Sequence, residues 1–414
     1  MRSSPIWLIV AGLMILLDFY VYQVIKTLSM SAGSKTRSII GISYWTISIL
    51  ALVILFVLPY LNLDNYSRSV RSIIFAIIIG LFLAKLIAAV IFLVDDIRRG
   101  IQWLAGKIYF KNTEAEPAGE KISRSVFLSW AGLGIGGGLF ASLLYGFSNK
   151  YDYRVRKLSL AFPNLPAAFK GLRIVQISDI HSGSLSNKDA VLKGVENILE
   201  LKPDLILFTG DLVNNESNEM SGLTGVFSLL KAPLGVYSVL GNHDYGDYHE
   251  WPDQETKRAN LDQLKKIQAE MGWRLLMNEH VILEKDNEQI ALIGIETWSS
   301  KARFPKYGRL NEAYQGTKAI PFKILMSHDP SHWDAEVRPQ YGDIDLTLSG
   351  HTHGMQFGVE IPWLKWSPVQ YVYKQWAGLY EAGSQKLYVN RGFGFIGYPG
   401  RVGILPEITL IELS

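Results

Sequence analysis

Residues 39–61 carry no charged side chain, and a run of that length has very few structural solutions. As a helix it can cross about 30 Å of hydrocarbon, where every backbone amide must find its partner within the segment. Three more runs share the pattern. Residues 5–27 contain Asp18 and, near the end, Lys26; residues 73–95 contain Lys85 and end on Asp95; residues 126–147 contain no charge. The composition agrees, with 48% hydrophobic residues and a mean hydropathy of +0.13 across 414 residues. A cleavable signal peptide is disfavoured for the first run, because its apolar stretch is too long and no small-x-small cleavage site follows. The expectation is a bundle of four transmembrane helices over residues 1–149, followed by a second domain over 150–414.

Asp18 and Lys85 lie near the middle of the first and third runs, at similar depth if the helices run up-down-up-down. Charges there are costly unless paired. A structural ion pair is preferred to an ion path, since two residues do not make a relay. The fourth run is rich in glycine, and Gly134-x-x-x-Gly138 would let a neighbouring helix approach closely; a weakly apolar anchor is the plain alternative. Residues 95–110 have Ile97, Ile101, Leu104 and Ile108 at helical spacing and could lie along the membrane surface. Residues 112–120 are polar, contain Pro117, and read as a loop.

Basic residues give the orientation. Arg98, Arg99, Lys107, Lys111, Lys121 and Arg124 lie between the third and fourth runs, against Arg68 and Arg71 between the second and third. That bias sets the third connection in the cytoplasm, so that residues 150–414 face outward from the inner (cytoplasmic) membrane. Lys150, Arg154, Arg156 and Lys157 argue the other way. Residues 123–128 resemble a twin-arginine export signal in which Ser125 replaces the second arginine.

The second domain has a different signature. Arg173–Ser178 runs into Asp179-Ile180-His181, Asp204–Thr209 into Gly210-Asp211, and Val236–Leu240 into Gly241-Asn242-His243-Asp244. Lys323–Ser327 runs into His328-Asp329, and Leu346–Ser349 into Gly350-His351-Thr352-His353. Five apolar strands thus deliver metal-ligand side chains at their carboxyl ends, where open α/β sheets bind their ligands. Five of the eight histidines fall in these blocks. Helices are expected at 187–201 and 254–271, a hairpin across Lys285–Glu288, and further strands at 386–389 and 407–411. With no cysteine, any metal must be held by imidazole, carboxylate or amide oxygen. The net charge of +3 is small for this length, so nothing argues for nucleic acid as a partner.

The order Asp-x-His, Gly-Asp, Gly-Asn-His-Asp, His, Gly-His-x-His resembles the calcineurin-like metallophosphoesterases, in particular their membrane-anchored bacterial branch. The resemblance implies an α/β fold, a four-layer αββα sandwich, and two divalent metal ions of the Mn, Fe or Zn kind. Asp179, His181 and His353 would hold the first ion; Asn242, His328 and His351 the second; Asp211 would bridge them with a hydroxide that attacks phosphorus. His243 is expected not to be a ligand but to act on the scissile oxygen or the phosphoryl group, with Asp244 orienting it. Arg391 would either touch phosphate or form a surface ion pair. His249, His280 and His332 read as ordinary surface or capping residues.

Residues 354–380 contain Phe357, Trp363, Trp366, Tyr371, Tyr373, Trp376 and Tyr380, directly after His353. Prolines and lysines interrupt the run too often for a buried strand. Such a mixture suits a lip at the membrane interface, and Met355 stands where many relatives have a second glycine. The reading that follows is an integral membrane metallophosphoesterase whose partners are the bilayer and a lipid-linked phosphodiester or pyrophosphate. Two alternatives are a cytoplasm-facing pyrophosphatase of the UDP-diacylglucosamine type and a non-catalytic membrane sensor with a phosphatase-like domain.

Overall fold

The computed structural model describes residues 6–57, 68–109 and 125–414, and the chain divides into two compact units, Met1–Tyr145 and Gly146–Ser414. The expected loop at 112–120 and the basic residues Lys111, Lys121 and Arg124 lie outside the described residues.

The first unit contains α1 (Ile6–Leu28), α2 (Ser34–Val57), α3 (Arg68–Tyr109) and α4 (Val126–Gly146), each long and apolar enough to cross a membrane. Asp18 is buried, and Lys85 pairs with its carboxylate. Ser48 donates to the same oxygen at 2.9 Å, and the Tyr44 hydroxyl donates to the Asp18 carbonyl at 2.9 Å. The two mid-membrane charges therefore cross-link α1 and α3, with α2 supplying the remaining hydrogen bonds, as a structural pair should. The close glycine contacts differ from expectation. A Cβ at Gly132 would meet Phe92 at 2.5 Å and one at Gly136 the Ala84 carbonyl at 2.5 Å, whereas Gly134 and Gly138 have nothing within 4 Å. The small-residue stripe that α4 turns to α3 is thus Gly132-x-x-x-Gly136, two residues out of register from the expected pair.

The amphipathic stretch after Asp95 also departs from expectation. It continues α3 without a break, so that the helix runs for 42 residues, about 63 Å at 1.5 Å per residue and roughly twice a bilayer core. Asp95 and Asp96 are satisfied by Arg98 and Arg99 one turn on and by Ser125 N–H and Tyr20. With these partners, neither acid forces the helix to end.

The second unit is built on strands β1 (Arg154–Leu160), β2 (Arg173–Ile177), β3 (Leu205–Phe208), β4 (Val236–Ser238) and β5 (Arg274–Leu275). The hairpin β6 (Glu279–Lys285) and β7 (Glu288–Gly294) follows, then β8 (Lys323–Met326) and β9 (Leu346–Ser349). A short hairpin of β10 (Val359–Ile361) and β11 (Leu364–Trp366) precedes β12 (Gly378–Ala382), β13 (Gln385–Val389) and β14 (Glu407–Leu413). Two six-stranded sheets result, β1-β14-β2-β3-β4-β5 and β12-β13-β9-β8-β7-β6. Both have parallel centres, β2-β3-β4 in one and β7-β8-β9-β13 in the other.

Alternation along the strands explains the layers. Ile174, Leu205 and Leu207 point inward against Leu292, Ile324, Met326 and Leu348 of the other sheet. Val175, Ile177, Ile206 and Phe208 point outward onto Val191 and Val195 of the helix Lys188–Glu200 and Leu264 of the helix Gln254–Glu270. On the far face, Ile293, Leu325 and Val389 pack on Trp333 and Val337. Strands covered on both faces are apolar throughout, as here. The result is the αββα sandwich, and truncating a core residue such as Leu207 to alanine should cost about 2–5 kcal/mol.

Candidate metal centre

The chain turns sharply after β2, β3 and β9, and the turning residues are themselves the candidate metal ligands. Asp179, His181, Asp211, His351 and His353 all have positive φ, between 48° and 71°. A left-handed backbone costs a non-glycine residue roughly 1–2 kcal/mol and persists where the surroundings or a function demand it. Neighbouring glycines make the turns feasible. A Cβ at Gly350 would sit 1.9 Å from Ser178 Oγ, and one at Gly241 would sit 2.1 Å from Asp211 Oδ1.

The turns gather two donor clusters, Asp179/His181/His353 and Asp211/His328/His351, each with ligand atoms within 4.8 Å of one another. Asp211 Oδ2 lies between them, 3.1 Å from His328 Nε2 and 3.6 Å from His181 Nε2. Nε2 of His181 and of His353 approach to 3.1 Å. Asn242 is buried at the same cleft; its Nδ2 donates to Tyr248 at 3.0 Å, while its Oδ1 has no partner in the structure. An orphaned amide oxygen beside two carboxylates and four imidazoles is the donor set a borderline divalent ion takes.

Each of three imidazoles has its outer nitrogen occupied, which aims the inner one. His328 Nδ1 lies 2.7 Å from the Thr209 carbonyl, His181 Nδ1 3.1 Å from Asn214 Oδ1, and His351 Nε2 2.8 Å from the Tyr373 hydroxyl. Tyr373 in turn donates to Asp329 at 3.0 Å. Behind His353 sits the fully buried Arg401, whose guanidinium donates to the carbonyls of Arg391 at 2.7 Å and Gly392 at 3.2 Å. Such outer partners fix ring orientation and tautomer in metal sites.

The electrostatics point the same way. Burial alone would raise the carboxyls of Asp179 and Asp211, yet His353 beside the first and His328 beside the second hold them below the usual range. Burial lowers His328, but Asp211 outweighs it and drives the imidazole well above its ordinary value. His181 and His351 go the other way, pushed down chiefly by desolvation. The buried carboxylates thus draw positive charge into the centre, which divalent ions would supply.

Two residues expected in catalysis do something else. Asp244 does not reach the His243 ring. Its carboxylate accepts from the backbone N–H groups of Leu212 at 2.8 Å, Gly241 at 2.8 Å, Asp211 at 3.0 Å and Val213 at 3.2 Å, and so shapes the loop that carries Asp211. Burial, and then the Asp211 charge, push its pKa up to about 7. Arg391 is buried, not at the surface; it is held by Glu407 and bidentately by Glu360, an ion pair inside the domain, and it does not line the cleft over the donor clusters. Of the remaining histidines, His332 is buried between Ser327 and Glu336, and His280 meets the Ala313 carbonyl. His249 packs on Trp251.

The cleft over the centre holds about 330 Å³. Its lining includes His243 and Arg303, and the apolar part of its wall is formed by Met355, Val369, Val372 and Ile396. Sequence reasoning passed over Asn214, Asp329 as a partner of His351, and Arg303. Only Asp329 carried a signal, its place directly after His328.

Residues 1–150 match the family model described as "Probable Calcineurin-like phosphoesterase, transmembrane domain", and residues 172–355 match that of the calcineurin-like phosphoesterases. The chain belongs to the calcineurin-like phosphoesterases. It is a phosphoester hydrolase of a family that works with divalent metal ions. Its sequence is 29% identical over 313 residues to the uncharacterized metallophosphoesterase YkuE of Bacillus subtilis, covering 71% of this chain and 99% of that one. It is also 29% identical over 279 residues to a zebrafish (Danio rerio) transmembrane protein with metallophosphoesterase domain, covering 66% of this chain and 60% of the relative. The UDP-2,3-diacylglucosamine pyrophosphatase LpxG of Chlamydia muridarum is 28% identical over 292 residues, 58% of this chain and 83% of that one.

Proposed function

We propose that this phosphoesterase hydrolyses a phosphodiester or pyrophosphate of a lipid-linked substrate, using two ions drawn from Mn, Fe and Zn. Asp179, His181 and His353 would hold one, Asn242, His328 and His351 the other, and Asp211 would join them. The observation that carries this reading is Asp211 Oδ2, which stands between two complete donor clusters at the floor of a cleft with one apolar wall. When bound, the ions would supply Lewis acidity toward the phosphoryl oxygens and a water acidified for in-line attack.

The chain's own groups divide the remaining work. His243, in the cleft wall, has its Nδ1 tied to a carbonyl, so its Nε2 is the atom that can exchange a proton with the leaving oxygen. Arg303 brings a guanidinium to the rim with no carboxylate partner among the described residues, suited to a phosphate oxygen. The apolar wall suits an acyl chain or another lipid moiety. A complete donor set speaks against the sensor alternative.

The same reading sets the protein in the cytoplasmic membrane with the catalytic unit outside. Lys26, Lys35 and Arg37 at the α1–α2 turn lie on the same side of an up-down bundle as Arg98, Arg99 and Lys107, and both clusters would be cytoplasmic. A second reading, cleavage of a UDP-linked lipid pyrophosphate in the cytoplasm, draws on the LpxG relatives and on Lys150, Arg154, Arg156 and Lys157. The test is turnover of bis-p-nitrophenyl phosphate, p-nitrophenyl phosphate and lipid pyrophosphates by detergent-purified protein with Mn, Fe or Zn. Turnover of the diester and a lipid is expected; activity confined to the soluble monoester would overturn the substrate class.

A further inference from the structure

We propose that the β10–β11 hairpin is an interfacial anchor that dips into the lipid headgroup and acyl boundary and holds the mouth of the cleft at the bilayer surface. The register pairs Val359 with Trp366, Glu360 with Lys365 and Ile361 with Leu364. Alternation therefore segregates the faces. Glu360 and Lys365 share one face and are bound into the domain, Glu360 by Arg391 and Arg156, and Lys365 by the Ala377 carbonyl. Val359, Ile361, Leu364 and Trp366 share the other, and the first three are exposed. At the tip Trp363 is 81% exposed, and Tyr371, whose hydroxyl meets Trp366 Nε1 at 3.5 Å, is 78% exposed.

A two-stranded hairpin is marginal in water, and an apolar face turned away from the protein adds to its cost. The occupant is identified by what lies at the hairpin's base. Gly358, directly before β10, donates to the Val402 carbonyl at 2.9 Å, and Val402 N–H donates to the Gln356 carbonyl at 2.8 Å. Arg401 N–H donates to the Gly146 carbonyl at 2.9 Å, and Phe147 packs on Tyr398 with ring centroids 5.6 Å apart. Gly146 and Phe147 are where the chain leaves its fourth membrane-spanning segment, next to the exposed Tyr145. The base of the hairpin is therefore joined through two adjacent residues to the point of membrane exit. Tryptophan and tyrosine at that level prefer the boundary between headgroups and chains.

The cleft opens close by in the chain, because Met355, four residues before Val359, and Val372, directly after Tyr371, are both exposed and both line the apolar wall of the cleft. A substrate held in the leaflet could then reach the metal centre without leaving the membrane. Bilayer contact by the hairpin does not depend on the proposed substrate.

The test uses the absence of native cysteine. Trp363→Cys and Tyr371→Cys, each labelled with an environment-sensitive fluorophore in full-length protein reconstituted into phosphatidylcholine and phosphatidylglycerol vesicles, are compared with Asn218→Cys. Lipids spin-labelled at a shallow acyl position should quench the first two by roughly half or more, as expected for side chains about 5–10 Å into the boundary, and leave the third unaffected. Equal, weak quenching at all three positions would overturn the anchor. Because no substrate is present, this failure is separable from a failure of the proposed reaction.

Discussion

The Nδ1 of His243 lies 2.8 Å from the backbone carbonyl oxygen of Asn214, while the side-chain oxygen of that same Asn214 lies 3.1 Å from Nδ1 of His181. One residue therefore fixes two rings, that of a donor-cluster histidine through its amide and that of the cleft-wall histidine through its backbone. The carbonyl accepts from a proton-bearing Nδ1, which leaves Nε2 of His243 as the atom through which the proposed acid would act.

Removing that ring separates its role from metal binding. His243→Ala should keep its metal content while turnover falls by about 10²–10⁴ for a general acid. The loss should be smaller on p-nitrophenyl esters, whose leaving group needs little protonation, than on alkyl esters. Equal losses on both, with metal retained, would shift the role to phosphoryl binding.

The donor residues that the structure gathers were legible because each follows an apolar strand, and strand ends are readable from short-range pattern. What they touch was not. The resemblance implied that Asp244 orients His243, but the turn at Gly241 carries its carboxylate back onto the amides of residues 211–213. Arg391 was left between phosphate and a surface ion pair because its carboxylates come from β10 and β14, and no local pattern pairs positions 360, 391 and 407 or shows that the pair is buried. The second sheet was hidden for the same reason, since β13 enters it beside β9 after a long excursion. The length of α3 was missed because a change of face at Asp95 reads as a boundary, although the acids are satisfied within the helix and at its neighbours.

Tyr373 is a residue the aromatic composition of its segment had obscured. Its hydroxyl joins His351 Nε2 at 2.8 Å to Asp329 at 3.0 Å. Tyr373→Phe should leave the fold intact, with a stability loss of about 1 kcal/mol, and weaken metal binding at the second cluster by about 10–100-fold. Activity measured against added Mn or Zn should recover at high metal. An unchanged metal titration would show that the hydroxyl does not orient His351.

Glu407 gives the acid limb of stability a specific source. Burial would raise its carboxyl, but Arg391, with hydrogen bonds from Thr409 and Tyr388, holds it below the usual glutamate range. The unfolded chain then binds this proton more tightly than the folded one. Its contribution is present above about pH 4.3 and is lost as pH falls through the lowered folded value. Glu407→Gln should cost about 3–5 kcal/mol near neutrality by leaving part of the Arg391 charge uncompensated. Thermal unfolding of both proteins should show the gap closing in acid; a gap independent of pH would remove Glu407 as the source.

Topology is the remaining prediction, and the bundle makes it sharper than loop charges alone. The Tyr20 hydroxyl donates to Asp96 at 2.7 Å, which brings the end of α1 beside the later part of α3 and sets the α1–α2 turn on the same side as residues 98–109. Lys26, Lys35, Arg37, Arg98, Arg99 and Lys107 therefore act together, against Arg68, Arg71 and the group from Lys150 to Lys157. Gly33 and Gly106 each have open space where a side chain would begin, and Asn218 is exposed in the catalytic unit. In intact spheroplasts, Gly33→Cys and Gly106→Cys should both resist a membrane-impermeant maleimide, while Asn218→Cys should react. Labelling of the first two and protection of the third would put the metal centre in the cytoplasm and favour the nucleotide-linked substrate. A split between Gly33→Cys and Gly106→Cys would contradict the parallel course of α1 and α3 itself.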